Sequence, residues 1–217
     1  MDAIRPMADS RVWWGPDYSK RLFDLCVALT GLILTSPLFV LIAIAIRLDS
    51  KGPVIYRGRR IGLNGAPFEL CKFRTMIVGA DRIGPSSTTV DDHRLTRTGT
   101  LLRSTKLDEL PQLLNVIRGE MSLVGPRPQV EWAVARYDSE ARRLLSVRPG
   151  ITDYASIRFK NEGEILAGSD DPDAAYLELI EPEKIRLGLA YVDNQSLMLD
   201  IRIIFDTLRA IVRRSGG

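Results

Sequence analysis

Residues 25–46 read LCVALTGLILTSPLFVLIAIAI, and none of these side chains is charged. As one α-helix the segment would be about 33 Å long, which is enough to cross the hydrocarbon core of a bilayer. Ser36-Pro37 lies near its middle, and a proline inside a helix removes a backbone hydrogen bond and crowds the preceding turn. The segment therefore predicts a membrane helix that is broken or kinked at Ser36-Pro37.

Basic residues flank this apolar segment on both sides. Lys20 and Arg21 precede it, and the residues that follow include Arg47, Lys51, Arg57, Arg59 and Arg60. Because Lys and Arg beside membrane segments favour the cytoplasmic side, the pattern favours a re-entrant anchor over residues 20–50 with both ends in the cytoplasm. A kinked helix that spans the bilayer is the alternative.

Composition narrows the classes of protein. The chain has 217 residues, 45% of them apolar, and a formal net charge of +3, which predicts an N-terminal segment over 1–19, the anchor, and one domain over 51–217. The two cysteines, Cys26 and Cys71, do not form a disulfide framework. A single histidine, His93, excludes a His-rich metal site, and neither the mild charge nor any motif indicates nucleic-acid binding.

The remainder predicts an α/β fold that is rich in helices and has a small sheet or hairpin. Short strands are expected at 54–56 and 68–73, on either side of the turn dipeptide Asn64-Gly65. Residues 81–98 are polar and aperiodic, which predicts a long loop. Residues 196–213 carry apolar side chains at helical spacing on one side, which predicts an amphipathic helix.

Residues 105–128 read TKLDELPQLLNVIRGEMSLVGPRP. Asp108 is placed to cap a helix, Glu109 would lie in its first turn, where negative charge suits the dipole, and Gly119 would end the helix. Capping by itself accounts for both acids. The alternative is functional, because a helix N-terminus binds phosphate and a carboxylate there with Mg²⁺ would stand beside a bound diphosphate.

Basic residues surround this acidic pair in the sequence. Arg103 and Lys106 precede it, and Arg127 follows it between two prolines that restrict the backbone. A guanidinium suits phosphate oxygens, so we expect Arg127 to bind a substrate phosphate. The alternative is an ordinary turn with a solvated arginine.

These motifs resemble those of the bacterial sugar transferase family in its small monotopic form. The matching pieces are KRLFD at 20–24, SP at 36–37, KFRTM at 72–76, LLRSTKLDELPQLLNVIRGEMSLVGPRP at 101–128 and RPGIT at 148–152. The long central match is specific, whereas KRLFD or RPGIT alone would be weak. One departure is DYASI at 153–157, where many relatives have GLAQV, and the region from 158 to 192 is the expected place for sugar recognition.

The resemblance implies an enzyme that transfers a phosphosugar from a UDP-sugar to polyprenol phosphate and releases UMP by a ping-pong mechanism. It implies that Asp108 is the nucleophile and a ligand of the cofactor Mg²⁺, and that Glu109 is a base. It further implies interfacial helices, Lys20, Arg21, Ser36 and Pro37 in the anchor, and a place on the cytoplasmic face of the bacterial inner membrane. The basic residues expected to bind substrate are Lys72, Arg74, Arg103, Arg127 and Arg148.

Two other classes of protein fit the sequence less well. A nucleotide-sugar glycosyltransferase would need a longer alternation of strands and helices, and Asp91-Asp92 lacks the spacer of a DxD motif. A non-catalytic membrane scaffold explains the anchor but not the acidic pair beside clustered arginines. The expected partners are membrane lipid and later-acting glycosyltransferases of surface glycan assembly. The sequence does not identify the sugar, and a homodimer is one possible oligomeric state.

Overall fold

The computed structural model describes residues 18–85, 87–89 and 91–214, so most of the predicted N-terminal segment lies outside the described residues. The helices are α1 Tyr18–Asp49, α2 Arg97–Ser104, α3 Gln112–Arg118, α4 Glu131–Ala135, α5 Tyr154–Arg158, α6 Glu162–Ile165, α7 Pro172–Leu179, α8 Glu181–Asn194 and α9 Leu197–Arg214. The strands are β1 Ile55–Ile61, β2 Pro67–Phe73, β3 Ser122–Val124 and β4 Gly150–Thr152. The helix-rich α/β class with small sheets is confirmed.

Helix α1 continues through Pro37, so the expected interruption of the helix at Ser36-Pro37 is wrong. The Ser36 hydroxyl donates to the carbonyl of Ile33 at 2.8 Å, which is the acceptor that an amide N–H at position 37 would have used. A side-chain donor thus replaces the one that proline lacks, and the helix does not end. Among the described residues, α1 is the one helix long and apolar enough to cross a membrane.

One side of α1 packs against the rest of the protein near both of its ends. Ala28 packs in the main core beside α3 and β3, whereas Ile42 and Ile46 pack with Phe73 and Leu102. The opposite side of the helix exposes large apolar side chains, more than half exposed at Leu22, Ile33, Leu34, Val40, Leu41 and Leu48. The helix is therefore two-sided, with one face on the core and the other uncovered.

The N-terminal end of α1 is held by a buried polar group, here named the anchor cluster: Lys20, Asp24, Tyr191 and Asp200. Lys20 Nζ lies 2.6 Å from Asp200 Oδ2 and 3.3 Å from Asp24 Oδ1. The Tyr191 hydroxyl is 2.8 Å from Asp200 Oδ1, and Asp24 Oδ1 also accepts the N–H of Leu123 at 3.3 Å. The anchor cluster joins α1, α8, α9 and β3.

Two small sheets frame the core. Strands β1 and β2 are antiparallel, and Asn64, with φ of 55°, and Gly65 lie in the turn between them, which confirms the predicted hairpin. Strands β3 and β4 are parallel, with Val124 opposite Thr152. A Cβ atom on Gly150 would lie 2.1 Å from the Gly125 nitrogen, so only glycine allows this close approach, which brings the loop after β3 against β4.

Helix α9 matches the predicted amphipathic helix at 196–213 to within one residue at each end. Ile203 and Asp200 are fully buried on its inner side. Its outer side exposes Met198, Ile201, Phe205 and Leu208, which recur at helical spacing. The chain thus presents a second uncovered apolar face besides that of α1.

Candidate active site

The acidic pair lies in a turn that precedes α3, not at its cap. Lys106 has a left-handed backbone with φ of 60°, and the 3₁₀ turn Leu107–Glu109 follows it directly. Helix α3 begins only at Gln112, so the prediction that Asp108 is its N-cap is wrong. The left-handed backbone of Lys106 starts a separate turn, so Asp108 lies before α3 and not at its first turn. The predicted stop at Gly119, with φ of 84°, is confirmed.

The fold brings four of the predicted residues together, here named the dyad cluster: Lys72, Asp108, Glu109 and Arg127. Lys72 on β2 donates to Glu109 Oε1 at 3.2 Å and lies 3.9 Å from Asp108 Oδ2. Both terminal nitrogens of the Arg127 guanidinium donate to the Glu109 carboxylate, the longer bond at 3.2 Å. Asp108 is buried, and its Oδ1 has no hydrogen-bond partner among the described residues.

The pKa values of the two acids in the dyad cluster are shifted in opposite directions. Burial raises the pKa of Asp108 above its ordinary value, and the neighbouring negative charge of Glu109 adds to this against the opposing charge of Lys72. Burial also opposes ionisation of Glu109, but Arg127 and Lys72 outweigh it and hold the pKa of Glu109 well below its usual range. Glu109 is therefore stabilised in its ionised form, whereas ionisation of Asp108 is disfavoured by its burial.

Two further cations lie near the pair, as the sequence predicts. The charges of Lys106 and Arg103 both favour the ionised form of Asp108. Burial lowers the pKa of Lys106. The site is thus electropositive around one buried carboxylate, which is the arrangement that attracts a diphosphate and supports an anionic nucleophile.

Arg74 and Arg148, both expected to bind substrate, lie elsewhere. Arg74 is buried and donates to the backbone carbonyls of Ser50 and Lys51, just after α1. Arg148 is exposed and donates to the carbonyl of Gly119 at 2.9 Å, at the far end of α3 from Asp108. These contacts bind both arginines to backbone and not to the dyad cluster.

The basic residues at the start of α1 also bind the protein itself. The Arg21 guanidinium donates to the carbonyls of Val116 and Ile117 at 2.7 and 3.0 Å, where α3 ends and its dipole is negative. Lys20 belongs to the anchor cluster. Their charges are therefore used within the fold, and the helix flank is less basic towards lipid than the sequence implies.

Two polar residues of the site escaped the sequence analysis. Asp153 is buried, caps α5 through the Ser156 N–H at 2.6 Å, and accepts the backbone N–H of Arg127 at 3.3 Å. Its cap position before a short helix was the available signal. The other is Gln112, buried at the start of α3, for which the sequence offers no signal beyond its place four positions after Asp108.

The residues present fit a magnesium ion that is shared with substrate. No group of three or more acidic, histidine or cysteine side chains that could hold a metal occurs in the part of the chain that the structure describes. The unpartnered Asp108 Oδ1 is a single oxygen donor, and both Glu109 oxygens are occupied. Magnesium typically uses one or two carboxylates together with substrate phosphates and water, so Asp108 alone satisfies this protein's share.

Sequence comparison assigns the family. The profile of the bacterial sugar transferase family matches residues 16–214, so the chain belongs to this family and is an enzyme, a transferase. The long apolar helix and the family together indicate membrane association. The non-catalytic scaffold is therefore excluded as the class of this protein.

Three relatives cover most of this chain, and the two whose names state a donor sugar differ in that sugar. The exopolysaccharide production protein ExoY of Sinorhizobium fredii is 40% identical, with 99% of this chain and 91% of the relative covered. The UDP-glucose:undecaprenyl-phosphate glucose-1-phosphate transferase of Caulobacter vibrioides is 38% identical over 90% of this chain and 70% of the relative. An N-acetylgalactosamine phosphotransferase of Aeromonas hydrophila is 34% identical over 92% of this chain and 45% of its own length.

Proposed function

We propose that this chain transfers a sugar-1-phosphate from a UDP-sugar to undecaprenyl phosphate, at the cytoplasmic face of the inner membrane, as the first membrane step of surface glycan assembly. The observation that carries the proposal is the buried Asp108 carboxylate. It keeps an unpartnered oxygen, lies 3.9 Å from the Lys72 ammonium, and is followed in the chain by Glu109, which binds Arg127. The names of the relatives support the same donor and acceptor classes.

In the first step, Asp108 attacks the β-phosphorus of the UDP-sugar. A bond forms between a carboxylate oxygen and phosphorus, the bond from phosphorus to the bridging oxygen breaks, and UMP leaves with the electron pair. In the second step, a phosphate oxygen of undecaprenyl phosphate attacks the same phosphorus and the Asp108 carboxylate leaves. Two sequential displacements give the lipid diphosphosugar and regenerate the enzyme.

Lys72 and Arg127 exchange partners in this proposal. Without substrate they neutralise Glu109, and a bound diphosphate offers them the same charge with a geometry that suits a guanidinium fork. Once these cations move to phosphate, the buried Glu109 loses what keeps its pKa low and becomes a better proton acceptor. Glu109 can therefore act as a base only after this exchange, because both of its oxygens are bound by cations in the substrate-free structure.

We also propose Mg²⁺ as cofactor, held by Asp108 and the diphosphate of the donor. Bound there, it would supply positive charge that offsets the diphosphate. The protein residues then have separate tasks: Asp108 attacks, Arg127 and Lys72 bind phosphate oxygens, and the burial of the site excludes water from the covalent intermediate.

For the membrane placement we propose that α1, although helical through Pro37, bends at this proline and is re-entrant, with both ends on the cytoplasmic side. The same core contacts α1 at Lys20 near its start and at Ile46 near its end. A spanning helix would place these two positions on opposite sides of a bilayer core of about 30 Å. Because one domain contacts both positions, a spanning arrangement is disfavoured. The uncovered faces of α1 and α9 would then both meet lipid.

Nucleotide release tests the reaction. Detergent-purified protein is incubated with undecaprenyl phosphate, Mg²⁺ and, in turn, UDP-glucose, UDP-galactose, UDP-N-acetylglucosamine and UDP-N-acetylgalactosamine. We expect UMP from at least one donor and none in excess chelator. Release of UDP would instead identify a glycosyltransferase, and full turnover in chelator would exclude the metal.

Accessibility labelling tests the membrane placement. Tyr18→Cys and Arg57→Cys, each in a Cys26→Ala, Cys71→Ala background, place one thiol at the first residue of α1 and one on β1, which follows α1. We expect an impermeant maleimide to label neither thiol in intact spheroplasts and both after permeabilisation. Labelling of one end from the outside would establish a spanning helix instead.

A further inference from the structure

Gln112, the first residue of α3, is a buried amide with no evident structural task. The side chain is almost fully enclosed, and neither its Nε2 nor its Oε1 has a hydrogen-bond partner among residues that the structure describes. A primary amide offers two donors and an acceptor, and burying them unpaired destabilises a protein. A purely structural role therefore does not explain why this position holds a buried, unpaired amide.

Asn115, on the same helix, shows what a structural amide looks like here. Its Oδ1 accepts the N–H of Cys71 at 2.9 Å. Its Nδ2 donates to the carbonyl of Glu69 and to the carboxylate of Glu120, both at 2.7 Å. The core thus satisfies one buried amide on α3 completely and leaves the other unpaired.

Asp108 supplies the complementary atom. Its Oδ1 is a buried acceptor without a donor, four positions before Gln112. Leu110 and Pro111, between them, have right-handed helical backbones, so positions 108 and 112 lie about one helical turn apart. Both side chains are buried. Nε2 and Oδ1 are not hydrogen-bonded to each other in this structure, but residues four apart on helical backbone lie close enough for a side-chain rotation to join them.

We propose that Gln112 is a positioning residue that turns towards Asp108 when the donor substrate binds and orients the nucleophile by donating its Nε2–H to Oδ1. Asp108 Oδ2 is the oxygen on the side of Lys72, and it becomes the attacking atom. Oδ1 has two lone pairs, so it can accept from Gln112 and still serve as the ligand proposed for Mg²⁺. As the bond from Oδ2 to phosphorus forms and UMP departs, Oδ1 becomes the carbonyl oxygen of the acyl phosphate and keeps the same donor. The inference rests on the proposed role of Asp108.

Gln112→Met is the main test, because methionine keeps the length and removes both polar groups. With the UDP-sugar that gives the fastest UMP release, single-turnover release without undecaprenyl phosphate should slow by about 10- to 100-fold, the effect of one hydrogen bond to a charged group. KM for the donor should change little. The melting temperature should stay equal or rise, because an unsatisfied amide is removed.

Asn115→Leu is the matched control, since it removes the satisfied amide one turn along and should lower the melting temperature markedly. Gln112→Met that keeps the wild-type single-turnover rate would overturn the proposal. So would Gln112→Met that loses activity and thermal stability together, as Asn115→Leu does, because that result indicates a structural role.

A second variant has a readout that a structural residue would not move. In Gln112→Glu the introduced carboxylic acid can donate to Asp108 only while it is protonated, so its activity should be partly retained at low pH and decline as pH rises. A pH profile parallel to that of wild type would contradict the proposal. Asp108→Asn separates the two hypotheses: if it stays active, the nucleophile assignment fails, whereas an inactive Asp108→Asn with a normal Gln112→Met rejects only the role of Gln112.

Discussion

The anchor cluster and the dyad cluster are built from the same chemistry and differ in what is left unbonded. Each holds two carboxylates against cationic side chains, Lys20 in the anchor cluster and Lys72 with Arg127 in the dyad cluster. In the anchor cluster Asp24 also accepts a backbone N–H, and Asp200 is bound by both Lys20 and Tyr191. In the dyad cluster Glu109 is bound on both oxygens, whereas Asp108 Oδ1 is not.

This difference separates a structural ion pair from a reactive one. A carboxylate that holds elements together is most stable when every lone pair has a donor. A reactive carboxylate must keep bonding capacity that substrate binding can use, and leaving that capacity unused in the substrate-free protein costs free energy. Burial raises the pKa of Asp108, which expresses that cost. Burial raises the pKa of Asp200 as well, but Lys20 and the Tyr191 hydroxyl bind that carboxylate.

The largest expected effect is on Asp108. Asp108→Asn should reduce UMP release by about 10³-fold or more, as expected for loss of a covalent nucleophile. Its thermal stability should not fall, because the substitution removes a charge that burial disfavours. UMP release and thermal unfolding of the purified variant check both parts, and near-normal release would reject the assignment.

The anchor cluster should show the opposite balance. Asp200→Asn removes the carboxylate nearest to Lys20 and should lower the free energy of unfolding by roughly 3 kcal/mol. Asp206→Asn is the matched control on the same helix, because its pair with Arg202 is long and exposed and should contribute little. Denaturant unfolding in detergent measures both, and equal stabilities would mean that the two clusters do not differ as described.

Arg127 should affect both properties. Arg127→Ala is expected to lose nearly all activity, and Arg127→Lys, which keeps the charge but not the fork, much of it, each by on the order of 2 kcal/mol or more. Because Arg127 also binds Glu109, stability should fall by more than a turn arginine would cause. If Arg127→Ala released UMP at the wild-type rate, Arg127 would be an ordinary turn residue and not a phosphate ligand.

The smallest expected effect is a pH dependence of stability. The pKa of Asp108 is raised in the folded state, so its ionisation opposes folding, and wild type should be less stable than Asp108→Asn at neutral pH. As pH falls through the raised pKa towards the ordinary value of about 4, wild type regains its proton and the gap should close. Melting temperatures in chelator from pH 8 to 4 measure it; a gap that widens on acidification contradicts the assignment.

Glu109 should behave in the opposite sense in the same experiment. Its pKa is depressed by Arg127 and Lys72, so the stability that these contacts give is present above the unfolded pKa of glutamate. It should be lost as pH falls through the depressed value. The destabilisation by Arg127→Ala should therefore shrink in acid.

Local pattern was sufficient for the elements whose physics is local. The apolar run made α1 a candidate membrane helix, the spacing of apolar side chains gave α9, and Asn64-Gly65 and Gly119 marked a hairpin turn and a helix stop because their backbones favour left-handed angles. The long motif around Asp108 gave the family and with it the candidate nucleophile. These features depend on residues within a few positions of each other.

The tertiary structure decided what each charged group does. Lys20 and Arg21 flank an apolar helix in the sequence, yet they bind Asp200 and the carbonyls that end α3. Arg74 and Arg127 looked alike as phosphate ligands, but only Arg127 reaches the acidic pair. The sequence predicts Asp108 as a helix cap. In the structure the left-handed Lys106 places Asp108 in a turn before the helix, where its Oδ1 has no hydrogen-bond partner among the described residues. A long side chain accepts any partner of suitable charge, so its role depends on which distant segment folding brings within about 3 Å, and that choice is not written in the neighbouring sequence.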